Sequence, residues 1–279
     1  MRRRSMWIGA LALAATLPSW ADTLSPADRF VIVEAAQSSY DRAIELLPSD
    51  PAAARGLFQE SVTAYRDAAL AGATSGELSF NLGNALVQSG ETGRAIAAYL
   101  DAQRLLPGDP RVEANLAHAR SLVAGAPPLP SPSSLDGVAG LWNDLPASSR
   151  VTLAVAGWIA LWSLVAAGVA TGWNARVPWR LTVAIAGTVG VVAGATLGVD
   201  WMRWHLHPRG VLVANDVIAR KGNGEGFAPA FTTPLPSGAE FTLVESRPGW
   251  YSIKVGDGQT GWIRSSDAIL PGARSTTVQ

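Results

Sequence analysis

Between residues 30 and 47 the apolar side chains Phe30, Val33, Tyr40, Ala43, Ile44 and Leu47 recur at three- and four-residue steps. That spacing lines one face of an α-helix. The period continues to about residue 123, punctuated by capping residues. Ser25-Pro26, with Asp28 three residues beyond the Ser, starts one helix, and Asp50-Pro51 and Asp109-Pro110 start others. Each sets a side-chain acceptor at the N-cap and a Pro at the first helical position. The pattern predicts helices over 26–47, 51–71, 77–89, 92–106 and 110–123. AGAPPLPSPSSLDG, residues 124–137, cannot continue a helix and reads as an extended tether. The adjoining LWNDLPASSR is expected to rest at a membrane surface. From Gly210 the period changes to two. GVLVANDVIARKG, EFTLVES, WYSIKVGDGQTGWIRSS and AILP read as strands, with GDG at 256–258 as a hairpin turn. The core candidates are Val211, Val213, Phe241, Leu243, Ile253, Val255, Trp262 and Ile263.

Between the two patterns lie two uncharged apolar runs, residues 151–171 and 181–199. The first reaches about 31 Å as a helix, the thickness of a bilayer core. Trp173, Trp179, Trp201 and Trp204 stand at or near the ends, where indole rings favour the interface. The connector 172–180 carries Arg176 and Arg180 and no acid, which marks it as cytoplasmic. At the amino end, Arg2, Arg3 and Arg4 precede an apolar run and then Ser19-Trp20-Ala21, the layout of a secretory signal peptide over 1–21. Cleaved or retained as an anchor, it exports the region from residue 22 onward. Both arguments put residues 22–126 and 211–272 on the same extracytoplasmic side. Gly190 and Gly194 have GxxxG spacing, expected to pack the two spans together or to meet a partner membrane protein.

Net charge is zero, with 22 basic and 22 acidic residues, but it is unevenly spread. Residues 22–149 hold fifteen acids and eight Arg, net −7, and residues 150–279 are net +4. Neither part forms a basic nucleic-acid surface. The absence of Cys removes disulfides, thiolate nucleophiles and Cys-ligated metals. No nucleophile elbow or phosphate loop occurs, so no catalytic residues and no cofactor are expected. His205 and His207 could share a strand face but have no third ligand nearby, so no metal site is expected.

Counting Gly76 as position one of a 34-residue unit, Leu82-Gly83, Ala95, Tyr99, Ala102 and Pro107 fall at signature positions of the tetratricopeptide repeat, which this stretch resembles. Ser79 and Leu86 depart from the usual aromatic positions. Tyr65 and Ala68 lie in register one repeat back, and Leu116 and Ala117 one repeat forward, giving roughly two and a half repeats over 22–126. Gly83, Ala95 and Ala102 would let helices approach while Leu82 and Tyr99 fill the gap. The resemblance implies a protein-binding concave face bearing Glu77, Phe80, Asn81, Asn84, Gln88, Asn115 and His118. Asn81 and Asn84 could hydrogen-bond a peptide backbone or terminal carboxylate, or could simply be solvated; no Lys accompanies them.

ARKGNGE, SGAEFTLVES, GWYSIKV and GWI, in that order, resemble the bacterial SH3-like domain over 211–272. This implies a small five-stranded β-barrel. Trp250 and Trp262 match aromatic positions of that family and could be barrel core. Alternatively Phe227, Phe231, Trp250 and Tyr251 line a groove for a peptide or cell-wall stem peptide, with Lys221, Glu225 and Asp257 as polar contacts.

The whole order is signal peptide 1–21, repeat domain 22–126, Pro/Ser-rich linker 127–150, spans 151–171 and 181–199 around loop 172–180, SH3-like barrel 211–272 and tail 273–279. It is a multidomain α and β architecture with two transmembrane helices, and it resembles BatE-type proteins of the Bat aerotolerance family. That resemblance implies an inner-membrane, periplasm-facing scaffold rather than an enzyme. Its expected partners are von Willebrand A domain membrane proteins and a MoxR-type ATPase. A cell-wall-binding protein acting through the barrel is the alternative.

Overall fold

The computed structural model describes residues 25–128, 147–171, 179, 181–188, 190–192, 194–195, 208–256 and 258–272. The expected signal peptide, most of the linker, residues 172–178, the stretch with His205 and His207, Asp257 and the tail lie outside them. Five helices come first: α1 (Pro26–Leu46), α2 (Pro51–Leu70), α3 (Gly76–Ser89), α4 (Thr92–Leu105) and α5 (Pro110–Ser121). Every boundary falls within two residues of the sequence expectation, because local capping chemistry sets the ends. Ser25 Oγ accepts the Asp28 N–H and donates to the Asp28 carboxylate. Asp50, Ser75 and Asp109 cap α2, α3 and α5. Gly90, at φ 86°, stops α3 in the left-handed conformation that Gly adopts without strain.

Each helix packs on the next, and α3 also touches α1 and α5. Tyr65, Leu86, Ile96, Tyr99, Leu100 and Leu116 are almost fully buried between them, each worth about 1.5–3 kcal/mol. Gly83 permits a close approach of α3 and α4. A Cβ there would lie 2.5 Å from the Tyr99 ring. On α1 the buried stripe is Ala36 and Ala43 with Ile32, Val33 and Tyr40 beside them. Phe30 and Ile44, two of the periodic apolar residues, are exposed. Among the described elements α1 packs chiefly against α2, with a smaller contact to α3, so it buries a single stripe.

The carboxyl-terminal region is a five-stranded antiparallel sheet. Its strands are β1 (Arg209–Leu212), β2 (Glu240–Arg247), β3 (Trp250–Val255), β4 (Gln259–Arg264) and β5 (Ala268–Ile269), in the order β4-β3-β2-β1-β5. A register shift falls between Leu243 and Glu245. The long segment from β1 to β2 folds back on itself through the bridge Val217↔Leu235 and reaches β4 through Arg220↔Trp262. Leu212, Val217, Leu235, Phe241, Ile253 and Ile263 form the core.

This sheet docks on the helices. Strand β1 is buried on both faces, with Leu212 in the sheet core and Val211 in the helical core. Period two alone places Val211 and Val213 in the sheet core. The parity is reversed because α4 covers the second face of β1, and Val213 is only half-buried. Gly93 permits the contact. A Cβ there would lie 2.5 Å from the Leu212 carbonyl oxygen and 2.9 Å from the Gly238 nitrogen. Arg120 of α5 grips Glu240 of β2 with Nε–Oε1 2.6 Å and Nη2–Oε2 2.9 Å. Glu240 is buried, so the pair is desolvated at the carboxylate end.

Helix α6 (Ala147–Thr171) contains Ser149–Thr171, which is long and apolar enough to cross a membrane. A shorter apolar helix, α7 (Leu181–Val192), packs beside it. Gly157 backs onto Gly190, Leu161 onto Gly187, and Gly168 onto the Trp179 indole, so the two run antiparallel. Gly190 thus serves contact within the chain, while a Cβ placed at Gly194 would meet nothing within 4 Å among the described residues.

Candidate functional site

The amide face of the helices is built from two hydrogen-bond networks of the same design. In the first, Gln37 Oε1 of α1 accepts from the Tyr65 hydroxyl at 2.8 Å and from Asn81 Nδ2 at 3.4 Å. In the second, Asn84 Oδ1 accepts from the Tyr99 hydroxyl and from Asn115 Nδ2, both at 2.8 Å. Tyr65 and Tyr99 are 34 residues apart, as are Asn81 and Asn115. Each carbonyl oxygen ties three helices together: α1, α2 and α3, then α3, α4 and α5. Burial pushes the Tyr65 hydroxyl up to about 12 and Tyr99 higher still. Both therefore remain donors at physiological pH.

Of the residues expected on the concave face, the structure brings most together but not as free contacts. Asn81, Asn84 and Asn115 are half-buried and engaged in the networks. Phe80 is buried against Tyr99, with ring centroids 6.1 Å apart, and roofed by the Arg111 guanidinium at 5.3 Å. Phe80 therefore belongs to the core, because Arg111 occupies its outer ring face. Glu77 accepts from Arg111 at 2.7 Å, and Asp109 accepts from the same guanidinium. That contact holds the Asp109 carboxyl below its usual range. Gln88 and His118 are exposed. Sequence reasoning missed Gln37 and Arg111. The 34-residue spacing could have flagged the Tyr–Asn pairs but not a glutamine on a helix of different length.

The four expected groove residues of the sheet divide. Phe231 and Tyr251 pack against the sheet core. Phe227 is exposed, and Trp250 is half-buried opposite Arg264. Trp262, expected in the core, lies two residues along β4 from Arg264 and opposite Ser252. By strand alternation it shares the outer face with Trp250. Arg247 stacks on Trp262 at 4.8 Å and pairs with Glu245, while Arg264 pairs with Glu225. Lys221 is exposed.

A cleft of about 450 Å³ opens where the helices meet the sheet, lined in part by Glu91, Gly93, Arg94, Val123, Asn215 and Ser237. Glu91 bonds Arg94 at 2.5 Å and Arg66 at 3.2 Å. Burial opposes its charge, but the two guanidiniums hold its pKa below the ordinary value. No sequence pattern marks this cleft, since it exists only once the sheet has docked. Comparison with protein-family models, curated proteins and solved structures found no match.

Proposed function

We propose that this chain is a membrane-anchored protein-interaction scaffold whose helices are tetratricopeptide-type repeats and whose sheet is an SH3-like barrel. The observation that carries the reading is an asymmetry of surfaces. The chain's own sheet takes up α4 and the end of α5, while the amide row across α1, α3 and α5 keeps Gln88 and His118 exposed. The duplicated Tyr–amide networks support the repeat reading. The strand order, with β1 between β2 and β5 and a long loop after β1, supports the barrel.

Docking also bears on topology. Helices and sheet in contact lie on one side of a membrane, so the chain between them crosses an even number of times. With α6 as one crossing, the apolar run 181–199, which begins with α7, is assigned the return. Together with the expected export of the amino end, this supports a two-pass protein facing the periplasm. Its partners in this proposal are von Willebrand A domain membrane proteins working with a MoxR-type ATPase, in an aerotolerance or envelope-stress role.

Affinity purification of the full-length protein from native membranes tests this, beside Gln88→Arg/His118→Arg. Both residues lie on the face without joining the networks. Co-purification of von Willebrand A proteins, lost in the double variant, is the expected result. A second reading rests on Trp250 and Trp262 sharing the outer sheet face, a surface suited to a cell-wall peptide. Release of the chain from cell-wall material by Trp250→Ala alone, with no protein partner captured, would favour that reading and sink the first.

A further inference from the structure

Two tryptophans stand in the middle of α6. Trp158 and Trp162 meet edge to face, with centroids 5.8 Å apart. They lie two residues either side of residue 160, the midpoint of Ser149–Thr171, so within about 3 Å of the centre along the axis. In a membrane-crossing helix that is the driest depth. Tryptophan favours the interface instead, because its apolar ring carries an N–H that needs an acceptor. Trp173, Trp179, Trp201 and Trp204 follow that preference in sequence position; the midspan pair does not. Both rings are 56% exposed, and neither indole N–H has an acceptor among the described residues. Trp179, by contrast, is seated on Gly168 of the neighbouring helix.

The chain presents a matching acceptor at the same depth. Gly157 lies against Gly190 and Leu161 against Gly187, so Thr188 of antiparallel α7 stands level with residues 159–160. Thr188 is exposed, and its hydroxyl donates to the Ala184 carbonyl at 2.9 Å. The hydroxyl oxygen is left able to accept. A two-fold axis along the membrane normal preserves depth, so donors at one level in one copy meet acceptors at that level in the other. Gly194, exposed and with nothing among the described residues within 4 Å of a Cβ placed there, offers a second place of close approach beyond the end of α7.

We infer that two copies of this chain pair side by side within the bilayer, with Trp158 and Trp162 of each directed to Thr188 of the other. The inference rests on the membrane reading of α6 and α7. It commits to a second copy because exposed donor and exposed acceptor occupy one depth on one hairpin, which makes the surface self-complementary.

The lack of Cys makes cysteine cross-linking clean. Full-length copies carrying Trp162→Cys under one tag and Thr188→Cys under another, co-expressed and oxidised in native membranes, are expected to give a mixed-tag disulfide dimer. In parallel, two differently tagged parental copies should co-purify in mild detergent. Thr188→Val and, separately, Trp158→Phe/Trp162→Phe should each lower that yield about fivefold, the scale of one interhelical hydrogen bond in a membrane. Each variant should stay with alkali-washed membranes. Absence of the mixed dimer, co-purification unchanged by both variants, or cross-linking of position 162 to a different protein would each overturn the pairing. Release of the parental chain by alkali would instead overturn the membrane reading, and the pairing with it.

Discussion

Asn84 spends its carbonyl oxygen on two donors from two other helices. Removing one donor leaves that oxygen half-satisfied, so Tyr99→Phe should cost about 1 kcal/mol, and Tyr65→Phe a similar amount. Gly83→Ala should cost about 2 kcal/mol or more, because the new methyl meets the Tyr99 ring rather than a side chain that can yield. Thermal unfolding of the purified protein ranks the three. Equal melting points for Gly83→Ala and the parent would contradict the packing described. Asp101 on α4 behaves in the opposite sense from a stabilising carboxylate. Burial raises its pKa despite Arg104 and the N–H of Gly272. Its folded state thus prefers the protonated form. That contribution is complete below the unfolded carboxylate pKa and is lost as pH rises through the raised folded value. Asp101→Asn keeps an oxygen for Gly272 and has no charge to desolvate. Its melting point should match the parent's in acid and exceed it increasingly towards pH 7. A variant less stable than the parent at pH 7 would contradict this.

The contact between α4 and β1 decides how the elements combine. Beside it, Arg120 of α5 and Glu240 of β2, 120 residues apart, form a charged clasp between the helices and the sheet. Arg120→Leu strands the buried Glu240 carboxylate and should cost about 3 kcal/mol, whereas Arg120→Leu/Glu240→Leu should recover most of the loss. Denaturant titration of the three variants checks this, and a double variant as unstable as the single one would contradict it. At this scale the sequence is legible where information is local. Ser25, Asp50 and Asp109 set helix starts through their nearest neighbours, and period two from Gly210 announces the strands. It is illegible where information is long-range. Alternation cannot tell that β1 is covered on both faces, so it assigns Val211 to the wrong core. Nor can it tell that Trp262 points outward under Arg247. Phe80, expected on a binding face, illustrates the same limit, since Tyr99 and Arg111 from other helices cover its ring.

For the whole molecule, the sheet docks on α4 and α5 and covers that end of the helices. In sequence, the apolar helices α6 and α7 fall between two parts of one body. In the proposed topology this body lies on one side of a membrane, with the apolar hairpin crossing and returning. Impermeant maleimide labelling tests it most directly, using three single substitutions in the Cys-free chain: Phe30→Cys and Phe227→Cys at exposed positions of the helices and sheet, and Asn174→Cys in the connector. Positions 30 and 227 are expected to label together in cells whose inner membrane is intact, and position 174 only after permeabilisation. Labelling of positions 30 and 227 from opposite sides of the membrane would contradict the claim, because the Arg120–Glu240 clasp could not then form.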